Sequence, residues 1–164
     1  MIKSANFSEC RTYRYALWRR WEEDHADYAM FVGLNPSTAD ETNDDPTIRR
    51  CIAYAKEWGY SGLCMTNIFA FRATDPDVMK AVNDPIGPEN DRWLRKCAEG
   101  AGVVVAAWGT HGTHMQRASA VQRLLPMLSY LRLTKDGHPG HPLYLPKTLT
   151  PIAWASQNTG GSQP

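Results

Sequence analysis

Ala29-Met30-Phe31-Val32-Gly33-Leu34-Asn35-Pro36 is the stretch from which the fold of this chain can be read. Its first four residues are an unbroken apolar run, the pattern of a strand buried on both faces. The run stops abruptly in Gly-Leu-Asn-Pro. Pro36 holds its own φ near about −65° and biases Asn35 toward extended backbone. Gly33 lets another backbone or a ligand approach closely. The segment reads as a strand whose C-terminal end is a stiff shelf presenting a side-chain amide. Asn-Pro is also a common turn dipeptide, so a plain turn is the alternative on spacing alone.

Similar apolar runs recur at 63–69, 103–107 and 128–133, and helical patterns fill the intervals. Asn43-Asp44-Asp45-Pro46-Thr47 has the acidic residues and early proline of a helix start. Ile48, Cys51, Ile52, Ala55 and Trp58 follow at helical spacing, and Gly59 ends the helix. Residues 90–99 and 115–125 give two further helices, whereas 75–88, rich in proline, reads as mostly loop. Strand and helix alternate throughout. Such alternation predicts an α/β fold of three layers, α/β/α, around a central four-stranded, mostly parallel sheet. The aromatic and arginine-rich piece 12–21 adds an N-terminal edge strand or hairpin. The expectation is a single domain over 1–158 and a disordered tail over 159–164.

Composition narrows the function classes. The chain has 164 residues, 43% hydrophobic and 21% charged, with a net charge of +1, so it is globular and carries no global basic field. No run approaches the ~18 apolar residues of a membrane span. Cys10, Cys51, Cys64 and Cys97 form no CxxC pair and none sits near a histidine at zinc spacing. That pattern predicts reduced thiols in a cytoplasmic protein without metal or cofactor. His111 and His114, separated by Gly112, read as loop or surface residues. No nucleophile elbow, Walker loop or dinucleotide fingerprint is present.

Every predicted strand ends in a polar turn: Asn35; 67–72; 108–114; 138–141. In a doubly wound sheet several such ends converge on one rim, where ligands bind. His138 and His141 are each followed by proline, which stiffens the backbone, and a rigid neutral imidazole is a good donor to developing negative charge. Residues alone leave both histidines open as functional groups. Asp44 and Asp45 read as helix-capping residues. Asp40 stays open as a general base or cation ligand.

Taken in order, GLNPSTAD, TNIFAFRATDP, VVVAAWG and HPLYL on an alternating α/β chain resemble the uracil-DNA glycosylase superfamily. The whole chain also resembles an uncharacterised family of small bacterial and phage proteins. The first resemblance implies a DNA glycosylase that hydrolyses the N-glycosidic bond of a damaged or modified base flipped into a pocket. Gly33-Leu34-Asn35-Pro36 is similar to the GxNP motif of the mismatch-specific and single-strand-selective branches, where the Asn positions the attacking water. Asn67 matches the residue that reads the base edge, and Phe69 lies beside it. His141, with His138 as its competitor, matches the His that stabilises the leaving base. Ser37, Thr38, Arg72, Trp108, Gly109 and Thr110 would then meet the DNA backbone, and Leu143, Tyr144 or Leu145 could fill the gap in the base stack. The implied partner is single- or double-stranded DNA carrying a modified or mismatched base, the implied state a monomer, and no metal or cofactor is required. A hydrolase of free modified nucleosides or nucleotides, and a non-catalytic binder of bases or nucleic acid, remain as alternatives.

Overall fold

The computed structural model describes residues 1–154, so the expected tail at 159–164 lies outside the described residues. The fold is mixed α/β. Its elements, in order, are β1 (Ile2–Phe7), β2 (Arg14–Arg20), β3 (Ala29–Gly33), α1 (Pro46–Glu57), β4 (Gly62–Asn67), α2 (Pro76–Ala81), α3 (Asn90–Gly100), β5 (Val103–Ala106), α4 (Arg117–Leu124), β6 (Ser129–Tyr130) and β7 (Ile152–Ala153). Short 3-10 segments precede α4 (Gly109–Gln116) and β7 (Pro142–Tyr144).

One sheet joins the seven strands in the order β1-β2-β4-β3-β5-β6-β7. This corrects the expectation of a four-stranded, mostly parallel sheet. Three of the six pairings, β1 with β2, β2 with β4, and β6 with β7, are antiparallel; the other three are parallel. The strands that sequence reading missed explain the difference. β1 is a largely exposed edge of mixed polarity, and β7 is two residues long; neither carries an apolar run or a clean alternation. Because β1 covers it, β2 is an internal strand, and five of its seven residues are buried. Two local expectations are corrected as well. The stretch 75–88 is not all loop: Pro76 opens α2, with Asp75 capping it through a hydrogen bond from the Asp77 amide. The fourth run, 128–133, pairs as a strand over only Ser129–Tyr130.

Helices cover both faces. Ile48, Cys51, Ile52 and Ala55 of α1 pack on Phe31, Leu63, Met65 and Val105. Leu94 and Cys97 of α3, Val121 of α4 and Met79 of α2 pack on Met30, Val32, Cys64 and Ala106. Alternate residues of β3 therefore serve opposite cores, which is why that strand reads as continuously apolar. Cys51, Cys64 and Cys97 are buried free thiols, and Cys10 is exposed.

Strand order dictates where a crevice opens. From β3 the chain crosses through α1 to β4 on one side, then returns through α3 to β5 on the other. Successive connections leave β3 in opposite directions, and the carboxyl ends of parallel strands at such a switch point splay apart. α1 is fixed firmly beside this opening. Asp45, in extended backbone, accepts the Ile48 amide at 2.9 Å, and Pro46 follows where a missing N–H costs nothing. At the far end Gly59, at φ +87°, donates to Lys56 O while Tyr60 N reaches Ala55 O, the paired bonds of a Schellman motif. Asp45→Ala should lower the free energy of unfolding by about 1 kcal/mol. Urea denaturation measures this, and an unchanged midpoint would deny the cap its role.

Candidate functional site

A cavity of about 640 Å³ opens at this carboxyl rim, within the size range of small-molecule sites. Its walls come from four places: the end of β3 with its following loop, the end of β4, the turn after β5, and the segment before and within the 3-10 turn at Pro142–Tyr144. The N-terminus of α1 and Arg14 of β2 also line it.

Gly33 and Asn67 are register partners in the parallel β3–β4 pair, so the two strand ends are level. A Cβ at Gly33 would lie 2.8 Å from both Asn67 Oδ1 and Met65 Cε. Only glycine lets the Asn67 side chain lie across this strand end. Asn67 is 2% exposed, and its Nδ2 is enclosed without a hydrogen-bond partner. An unpaired buried amide donor costs about 1–3 kcal/mol, so its presence on a cavity wall marks a place for an acceptor. The backbone around it is over-determined. Asn90 Nδ2 donates to Asn67 O at 2.9 Å and to Ile68 O at 3.2 Å, and Arg117 Nε also donates to Ile68 O.

The shelf is clasped by backbone. Ile68 N donates to Gly33 O, Phe69 N to Leu34 O and Ala73 N to Pro36 O, each at 2.9 Å. Asn35 Nδ2 donates to Ala73 O at 2.8 Å and Pro36 O at 3.2 Å. Two carbonyls on one end of the amide fix its orientation, so Oδ1 is the group left without a partner among the described residues.

His141 stands across the cavity as the residue that caps the 3-10 turn. Its Nδ1 accepts the Leu143 amide at 3.2 Å. An accepting Nδ1 places the proton of the neutral ring on Nε2. Burial pushes the imidazole below its ordinary value, partly opposed by the charge of Asp45. The segment after His141 is held by α1: Arg50 Nη1 donates to Pro142 O and Leu145 O, and Tyr54 Oη to Pro146 O. Tyr144, 84% exposed, lies with its ring centroid 5.4 Å from that of His141.

The structure thus gathers Asn35, Asn67 and His141 with Gly33, Leu34, Pro36, Ser37, Thr38, Trp108, Gly109 and Thr110 on one cavity. Three residues to which the glycosylase resemblance gives a site role lie elsewhere. His138 sits in the tight turn 134–138, its amide on Thr134 Oγ1, and does not reach the walls. Phe69 is fully buried in the α3–α4 core, its ring near His114. Arg72 lies over the Phe7 ring and donates to Arg11 O. Trp108 lines the cavity but is almost wholly enclosed, packed against Trp154. Asp40 accepts Thr42 N, Asn43 N and Asn43 Nδ2, bonds that hold its carboxyl far below the usual range and turn it into its own loop. Asp44 is no cap but the ion partner of buried Arg19, at 2.7 Å. Among the described residues no group of three or more His, Cys, Asp or Glu is placed to hold a metal. Sequence reading missed Arg14, Asp45, Thr74 and His111 as wall residues. Arg14 sits in the aromatic, arginine-rich stretch 12–21, which reads from sequence as an edge strand with solvated arginines, so nothing marked this one as a wall residue.

With this geometry in view, a family model described as a protein of unknown function, DUF1643, matches residues 14–143. The chain belongs to the DUF1643 family. No curated protein and no solved structure matches the chain. The DUF1643 match begins at Arg14 and ends at Leu143, so it spans every wall of the cavity except Tyr144 and Leu145.

The depressed pKa of His141 has a consequence for stability. Between the folded-state value and the ordinary value of about 6.5, the unfolded chain binds more protons than the folded one. Stability should therefore fall as pH drops through and below that value. In urea unfolding at pH 7.5 and pH 5.0, His141→Asn should lose less stability on acidification than the unaltered protein. Equal losses would place the His141 pKa at its ordinary value.

Proposed function

We propose that this protein is a DNA glycosylase that hydrolyses the N-glycosidic bond of a damaged or modified base, flipped from the strand into the carboxyl-rim cavity. The single observation that carries this reading is the convergence of Asn35, Asn67 and His141 on one cavity, each with one polar group unengaged. Base-acting enzymes extrude their target and read its Watson–Crick edge by hydrogen bonds inside a closed pocket. On this reading Asn67 Nδ2 donates to a carbonyl oxygen of the base, probing that edge from the buried wall. Asn35 Oδ1, held outward by the bonds of its own Nδ2, accepts an O–H of a water and aims its oxygen at the anomeric carbon.

Bond cleavage sends the electron pair of the C–N bond onto the base. The oxocarbenium-like sugar is then captured by the water, whose proton passes to the departed base. Asn35 is an amide and takes no proton, so the pathway relies on making the base a good leaving group. His141 would do this with Nε2–H, a neutral donor aimed at the developing anion, in a place where fixed donors cost no reorganisation. Tyr144, exposed beside His141, would cover the gap left in the base stack.

Oligonucleotides containing uracil, mismatched thymine or hypermodified pyrimidines, incubated with the protein and then heated in alkali, test this directly. Strand scission at one of these bases is expected. Asn35→Ala or His141→Ala should reduce the rate by ~10²-fold or more, the range for a positioned donor. Intact strands for all of them, with folded protein, would overturn the proposal.

A further inference from the structure

Among the described residues three arginines are buried, and two of them are paired with a carboxylate. Arg19, 1% exposed, pairs with Asp44 and donates to the carbonyls of Ser4, Trp18, Asp40 and Asn43. Arg117 donates to Ile68 O and pairs with Asp91. Arg14 differs. It is 2% exposed, yet it makes one side-chain hydrogen bond, Nη1 to Ala39 O at 3.0 Å. Its Nε is enclosed without a partner, Nη2 has none among the described residues, and no described carboxylate pairs with it. Burial pushes its pKa down to about 10, with the like charges of Arg72 and Arg19 adding to the push, so the group stays charged at neutral pH. Asp45 is the acid whose field opposes that push; its Oδ1 accepts the Ile48 amide, and no ion pair joins it to Arg14.

A buried cation without a counter-ion is expensive, because desolvation is not repaid by a partner. Arg14 lines the same cavity as Asn67. The ladder places them together: Leu17 faces Met65 across β2–β4, and the Arg14 amide donates to Ala70 O just beyond the end of β4. The inner wall therefore offers a charged fork and an amide, both donors, both with unused N–H groups. Each of the other two arginines has a carboxylate partner as well as at least one backbone carbonyl, and Arg14 has no such carboxylate. An arginine fork matches the geometry of two oxygens on one acid group.

We propose that Arg14 is a specificity-determining residue that binds an anionic oxygen group of the ligand, carried on the base as an acidic substituent or on the nucleotide as its phosphate. This rests on the reading that the cavity takes a base or nucleotide, and it names the chemical class of that ligand. A neutral, unmodified base would leave the guanidinium uncompensated; an acid on the ligand would supply its missing partner.

Calorimetric titration with two matched pairs tests it: 5-carboxyuracil against its neutral carboxamide, and deoxyuridine monophosphate against deoxyuridine. The protein should prefer the anion of at least one pair by roughly 10- to 100-fold, as expected for a hydrogen bond between charged groups. The pair that shows the preference identifies the source of the acid. Arg14→Gln should abolish the preference and Arg14→Lys should keep part of it. Equal or undetectable affinity for the anions of both pairs overturns the proposal, as does a preference that survives in Arg14→Gln. If Arg14→Gln fails to fold, the comparison within the unaltered protein still decides. Binding is read without turnover: anion preference without base release keeps this inference and removes the glycosylase reading, and base release without preference does the reverse.

Discussion

The rim depends on the absence of a single carbon. Gly33 ends β3 level with Asn67 at the end of β4, and the Asn67 amide occupies the space that any Cβ at position 33 would fill. Parallel pairing sets the level, and glycine permits the close approach. From that contact the rest of the site follows. The chain after Gly33 is bonded to the chain after Asn67 by three backbone hydrogen bonds, which brings Asn35 and Ala73 together. The same level surface is then closed by the turn after β5 and by the segment that carries His141.

α1 is the second organising element. Its N-terminus forms a wall of the cavity, and three of its buried or half-buried side chains hold the C-terminal segment down. Arg50, Tyr54 and Trp58 donate to the carbonyls of Pro142, Leu145, Pro146 and Leu149. A segment with little regular structure is thereby fixed by side-chain donors, and His141 is presented with a defined tautomer. Rigid placement of this kind is what a site needs when its groups act by position and not by strong acid–base chemistry.

Much of this was legible in the sequence for specific reasons. The runs at Ala29–Gly33 and Val103–Ala106 are apolar because both faces are buried, and that signal is strong. Asp45, Pro46 and Gly59 announced α1 through capping chemistry. The Asn-Pro shelf and the His-Pro turn were visible as polar residues in stiff loops at strand ends. β1 and β7 were not legible, since an exposed edge and a two-residue strand leave no pattern. Periodicity could not separate His138 from His141: both precede proline, and only the tight turn at 134–138 keeps the first away. Arg14 was illegible for a different reason. Its importance lies in the partners it lacks, which is a property of three-dimensional packing.

On the proposed function, the enclosed amide of Asn67 is the group that meets a base in this cavity. The side-chain amide resonance of Asn67 in nitrogen-15-labelled protein, followed during titration with a uracil-containing oligonucleotide, tests it most directly. A saturable shift of Asn67 Nδ2 accompanied by His141, with His138 unmoved, is expected. A titration that shifts surface residues while Asn67 and His141 stay still would contradict it.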